Sequence, residues 1–286
     1  MMSALIYFLL FLFLYSVSYS QQRRSEFLPA GLHFMPLKAN FEESRMGTLY
    51  YPEDGNLKVD IGNNVDLASF YFDSQQISLG IEFMAYGLST NYGGNRLQID
   101  AIDGFFGGNV TYSYKMESSR IKSRFRFVHN SSHLVDGSYL ADQGSWKEGR
   151  EPIPFTRDFF ELTAAHEISS SFAVFQYYGS GSYAVLVRPS EIGRIFFNAG
   201  FESAFTDPFG KIFGKGNSFF AAYQFTLRNY GEFTGSSHLM GGIKFGDWLD
   251  KGIVLYVSYY SGNHIFNEYY YERISRLGFG FMIDFI

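Results

Sequence analysis

Large apolar side chains alternate with small or polar ones along most of this chain. The C-terminal stretch is the clearest case, where Leu277, Phe279, Phe281, Ile283 and Phe285 alternate with Gly278, Gly280, Met282, Asp284 and Ile286. A period of two marks a strand with one apolar face. The pattern recurs, bounded by Gly, Asn, Asp, Ser or Pro, near residues 43–51, 57–70, 75–89, 98–115, 119–131 and 157–168. It continues near 171–179, 183–189 or 192–204, 217–228, 237–247, 251–261 and 273–286. The region 180–204 reads two ways, because Tyr183 to Arg188 and Ile192 to Phe205 each fit a strand. Few helical stretches exist to cover so many apolar faces, so lipid is the expected cover. Only helices and closed barrels satisfy every backbone hydrogen bond inside hydrocarbon. The expected fold is therefore all-β, a transmembrane antiparallel β-barrel of about twelve strands, with fourteen as the alternative, since the count should be even.

Connection lengths support one orientation. With both termini in the periplasm, the strand starting near Ser119 rises outward and the long segment Leu134 to Pro154 becomes an external loop. The short links Met116 to Ser118 and Ser169 to Ser171 then fall on the periplasmic side, as barrels of this kind require. Three parts are expected: a signal peptide at 1–20, a non-strand segment at 21–42 and the barrel at 43–286. The signal peptide rests on the apolar run Ala4 to Tyr15 and the small residues Ser18 and Ser20, although no Lys or Arg precedes the run. That run falls short of the roughly 20 residues a spanning helix needs. The stretch Glu26 to Asn40, with Pro29, Gly31 and Pro36, is expected either to plug the lumen or to lie against the rim.

Composition sharpens this picture. Aromatics make up 20% of the 286 residues, with 33 Phe, 22 Tyr and 30 Gly, while the apolar total of 46% is ordinary. Aromatic girdles and glycines at crowded bends account for such an excess. The net charge of −5 is spread without long runs of one sign, so a nucleic-acid partner is not expected. The absence of cysteine removes disulfides, thiolate catalysis and a lipoprotein anchor. Localisation in the bacterial outer membrane follows, with outer-membrane lipid as partner and the barrel-assembly machinery as partner during export. A secreted β-sandwich with sequons at Asn109-Val110-Thr111 and Asn130-Ser131-Ser132 is the soluble alternative.

Candidate chemistry concentrates between Lys122 and Asp136. Lys122, Arg124 and Arg126 share one face, which a barrel tolerates only as lumen. Phe125 and Phe127 then face lipid, and His129, Ser131 and His133 continue that outward face. A His and a Ser two residues apart on a strand stand side by side, and with suitable rotamers the imidazole can take the hydroxyl proton. The next strand offers Asp158, outward by parity with Phe160 and Leu162, or Glu161 on the opposite face. A metal centre is not expected, because His129 and His133 lie about 13 Å apart on an extended strand. No cofactor fingerprint occurs. His166 is expected to line the lumen, and His33, His238 and His264 to be solvated.

The outward His-x-Ser pair resembles the arrangement in outer-membrane phospholipase A and lipid A deacylase. That resemblance implies a Ser131 nucleophile and a His129 base acting on acyl esters, with a third group from a neighbouring strand. More of the chain resembles the bacterial domain-of-unknown-function family 1207. The residues concerned are Phe27-Leu-Pro, Pro36-Leu-Lys-Ala-Asn40, His129-x-Ser-Ser-His-Leu-x-Asp136, Tyr259-Tyr-x-Gly262 and Leu277-Gly-Phe-Gly-Phe281. Val135, Gly137 and Asn263-His264 depart from its pattern, and the family implies an exported barrel without supplying a reaction. The function expected first is a non-catalytic structural or narrow-channel barrel. The alternative is a serine esterase that cleaves acyl esters of membrane lipids through His129 and Ser131, with Asp158 or Glu161 orienting the imidazole.

Overall fold

In the computed structural model, which describes residues 23–92, 96–212 and 214–285, alternation translates directly into a wall. The expected signal peptide lies outside the described residues. The strands are β1 (Arg23–Phe27), β2 (Met46–Tyr51), β3 (Asn56–Phe72), β4 (Gln75–Tyr92), β5 (Arg96–Lys115) and β6 (Ser119–Leu134). A two-residue pair, β7 (Tyr139–Leu140) and β8 (Ser145–Trp146), sits in the long loop. Then follow β9 (Thr156–Ser169), β10 (Ala173–Arg188), β11 (Ile195–Thr206), β12 (Asn217–Asn229), β13 (Phe233–Phe245), β14 (Gly252–Asn263) and β15 (Arg273–Asp284). Twelve of these, β2 to β6 and β9 to β15, form a closed antiparallel ring. Closure is made by β15 on β2, from Phe279 opposite Tyr50 to Ile283 opposite Met46.

The ambiguous region resolves into two strands. Segments 171–179 and 183–189 are one strand, β10, and 192–204 corresponds to β11. The Gly179-Ser-Gly-Ser182 run between those two segments continues the ladder, with Gly181 opposite Leu162 on one side and Phe197 on the other.

Outward faces carry Phe, Leu, Ile, Val and Tyr. Phe125 and Phe127 of β6 pack on Phe160 of β9 with ring centroids 5.6 and 4.8 Å apart. The inward faces carry charge, because a carboxylate or guanidinium excluded from water needs a partner. Lys122, Arg124 and Arg126 all point into the lumen, where Lys122 pairs with Glu167 at 2.7 Å and Arg126 with Glu161 at 2.8 Å.

The N-terminal segment supplies the remaining countercharges. Residues 33–45 run through the lumen, where Glu43 forms a two-pronged pair with Arg124 and Glu42 bonds Arg157 and, at 2.6 Å, Arg228. Lys38 meets Asp284 at 2.8 Å, and the Ala39 carbonyl bonds His238 Nδ1 at 2.7 Å. Of the two placements expected for Glu26 to Asn40, the structure thus has its second half inside the barrel. The non-strand reading of 21–42 needs correction, because Arg23–Phe27 is a strand paired with Ala68–Phe72 of β3. The cause is geometric. Strand β2 covers β3 only from Asn56 to Asp60, and β1 takes up hydrogen-bonding groups that would otherwise face lipid unpaired.

Two other expectations are revised. His166 faces outward, with its Nδ1 2.9 Å from the Tyr177 hydroxyl. His33 and His238 are buried instead of solvated, His33 against Thr111 and Ser113 and His238 against Ala39 and Ser258; His264 is buried as well.

Candidate functional site

Near the external end of β6, two rows of side chains cross the lipid-facing wall. Antiparallel pairing sets Phe106 of β5, His129 of β6 and Asp158 of β9 opposite one another. One step outward, Gly104, Ser131 and Thr156 form the next such row. His129 and Ser131 therefore stand on one face about 7 Å apart along the strand.

The first row is bonded. His129 Nδ1 donates to Asp158 Oδ1 at 2.6 Å, and the Phe106 ring lies against the imidazole with centroids 4.7 Å apart. Both polar side chains remain accessible from the membrane side, at 30% and 28% exposure. A carboxylate on a lipid-facing wall is destabilising unless paired or near the headgroups, and Asp158 meets the first condition through His129. The bond to Nδ1 also fixes the tautomer and leaves the Nε2 lone pair as a base directed away from Asp158.

The second row leaves space. A methyl group added at Gly104 would sit 4.0 Å from Ser131 Oγ, so no side chain covers the hydroxyl from β5. Among the described residues, neither Ser131 Oγ nor His129 Nε2 has a hydrogen-bonding partner, and the two are not bonded to each other. Below this pair the wall continues as Phe127, Phe160, Phe125 and Leu162, an apolar track running toward the bilayer centre.

The expected residues are thus partly brought together. His129, Ser131 and Asp158 share one face of two adjacent strands. Glu161 does not join them; it is buried in the lumen against Arg126, Ser182 and Asn198. Phe106, Gly104 and Thr156 complete the surroundings and were not singled out from sequence, because their relation to β6 depends on hairpin register. His133 continues the outward row opposite Ile102. No group of three or more potential metal ligands occurs among the described residues.

Comparison with known proteins gives architecture only. No family model matches the chain, so the likeness to family 1207 stays an expectation, and no curated protein matches it. Among solved structures it is similar to the outer membrane phospholipase A of Escherichia coli, at 12% identity over 80% of this chain and 78% of that one, with a TM-score of 0.46. The toluene transporter TodX of Pseudomonas putida is similar at 11% identity over 91% and 76%, TM-score 0.40. The outer-membrane OmpT of Vibrio cholerae is similar at 12% identity over 87% and 99%, TM-score 0.34. The fold itself stands on the closed ladder and its apolar exterior, and this chain is a β-barrel of the bacterial outer membrane.

Proposed function

We propose that the barrel is a serine acyl-ester hydrolase that acts on membrane lipids at its external rim. The observation that carries this reading is the 2.6 Å bond between His129 and Asp158 on the lipid-facing wall, one residue-pair below an uncovered Ser131. A hydrogen-bonded acid and imidazole facing lipid is a costly arrangement for structure alone and a useful one for chemistry.

The residues assign themselves to steps. Ser131 Oγ attacks the ester carbonyl carbon as its proton passes to His129 Nε2, and Asp158 stabilises the imidazolium through Nδ1–H. The tetrahedral intermediate collapses, the carbon–oxygen bond to the leaving alcohol breaks, and His129 returns the proton to that alcohol. Water then attacks the acyl-enzyme with His129 as base, releasing the fatty acid and restoring Ser131. The apolar track of Phe127, Phe160, Phe125 and Leu162 offers the acyl chain a surface. Apo sites often hold nucleophile and base too far apart to bond, and a bound ester draws the two together.

The test is hydrolysis of phospholipid and lipopolysaccharide by refolded wild type and Ser131→Ala. Loss of acyl release by roughly 1,000-fold or more is expected for the variant. Equal release from both, or none from either, removes the hydrolase. A non-catalytic barrel is the second reading, and the ion-paired segment filling the lumen favours a structural role over conduction.

A further inference from the structure

The wall of the barrel is broken at one place. Strand β3 is partnered on the side away from β4 by β2 over Asn56–Asp60 and by β1 over Ala68–Phe72, with one more bond from Leu28 N–H to the Leu67 carbonyl. Residues 61–66 have no ladder partner on that side among the described residues. The position next to β3 is thus one strand in two pieces, and between Phe27 and Met46 the chain leaves the wall and passes into the lumen.

An opening remains where it leaves. Across from Asn63, Asn64 and Val65 lie Ile253 at the start of β14 and Ile283 and Phe285 at the end of β15, enclosing a cavity of about 470 Å³. Its outer rim is apolar and lipid-facing, with Val65, Ile253 and Phe285 all exposed. Its inner wall is Pro29, Gly31 and Leu32 of the segment entering the lumen. Those three residues, with Asp66 and Lys251, also line a second, polar cavity of about 480 Å³ at the periplasmic mouth. The two spaces share this lining, so the segment at Pro29–Leu32 with Asp66 and Lys251 stands between hydrocarbon and the periplasmic vestibule.

Polar groups in this opening lack partners of their own. Asn64 is 7% exposed, and its side-chain oxygen has no hydrogen-bond donor. Its N–H, on the unpartnered side of β3, is satisfied only by the neighbouring Asn63 side chain at 2.9 Å. Unpaired main chain in hydrocarbon is costly, so an opening filled only by lipid tails is unfavourable. A molecule with both an apolar tail and hydrogen-bonding groups suits it.

We propose that this opening is a lateral port occupied by a phospholipid of the periplasmic-side leaflet. One acyl chain lies between Val65 and Ile253, Ile283 and Phe285, and the glycerol region reaches Asn64. The headgroup enters the vestibule, where Arg120 and Lys251 face Asp66 and Asp250, both signs of charge that a zwitterionic headgroup carries. The leaflet follows from topology, because the port lies beside the Gly246–Lys251 turn and Phe285, at the end of the barrel that carries the short Met116–Ser118 and Ser170–Phe172 turns. The port is three strands away from β6 and independent of the Ser131 chemistry.

Photo-crosslinking of the full chain tests this in bilayers that contain a phosphatidylethanolamine with a diazirine on one acyl chain, or a free fatty acid bearing the same group. Attachment of the phospholipid to residues 28–33, on the inner side of the port, is expected. Attachment confined to outward strand residues overturns the proposal, and so does attachment of the fatty acid at 28–33 without the phospholipid. Since the chain has no cysteine, a second measurement is clean. Bimane on Leu32→Cys should lose fluorescence to doxyl-labelled phospholipid tails as bimane on lipid-facing Val65→Cys does. Leu32 fluorescence that stays as bright as at lumen-facing Thr163→Cys refutes the port.

Discussion

At Asp158 the proposed hydrolysis makes a sharp demand, because in it the carboxylate only holds and stabilises His129. Asp158→Asn preserves size and removes charge, and acyl release should fall by roughly 100- to 10,000-fold while the folded barrel persists. Kinetics beside heat-modifiable gel mobility check both halves. Gly104 makes a different demand. Gly104→Leu should cover the Ser131 hydroxyl and abolish turnover, whereas Gly104→Ala adds only an ordinary contact and should retain most of it. If the two variants are equally active, the space beside Ser131 is irrelevant. Parity along β6 and β9 made His129, Ser131 and Asp158 legible as one outward set before any coordinates. Their pairing was not, because register between strands joined by a long loop is fixed by the closed ladder and not by local pattern. Glu161 was legible as inward-facing but not as the partner of Arg126, a match that depends on cross-strand placement.

The N-terminal segment and the external loops show how connections take on structural roles. Glu42 neutralises Arg157 and Arg228 together, so Glu42→Ala leaves two buried guanidinium groups short of a countercharge. Breaking such a pair costs about 3–5 kcal/mol, and the urea midpoint of unfolding should drop accordingly. The Ile153 N–H, in the long loop before β9, donates at 2.8 Å to Glu268 in the loop after β14 and ties the two loops together. Burial, with the Asp103 carboxylate nearby, raises the Glu268 carboxyl from its usual 4.5 to about 7. The folded form then holds a proton that the unfolded loop gives up. Docking is strongest below about pH 4.5 and weakens as pH rises toward 7. Amide exchange across residues 264–272 should accelerate over that window, and Glu268→Gln should flatten the dependence. The alternation rendered the wall strands readable to within a few residues. It failed at 179–182, where Ser180 and Ser182 turn into the lumen toward Glu161 while Gly179 and Gly181 hold outward positions and the ladder runs on, and at 23–27, whose strand takes up the free edge of β3.

For the barrel as a body, the short strand β2 makes its narrowest joins, with five residue pairs to β15 at the closing seam and five to β3. A Cβ at Gly47 would stand 2.2 Å from the Phe281 carbonyl oxygen, so Gly47→Val should open the seam and abolish the heat-modifiable band. With the lumen occupied by 33–45, planar bilayers should show no steady conductance from wild type. Glu42→Ala combined with Glu43→Ala should introduce fluctuating current as the segment loosens. The interrupted strand also imposes an order on biogenesis. Once β1 and β2 are both stitched to the wall, the intervening stretch is tethered at each end, and Glu42 and Glu43 can no longer be drawn across the bilayer from outside. The stopper must therefore already be threaded when the final strand zips shut, so the earliest translated part of the cylinder waits for the last to lock it in.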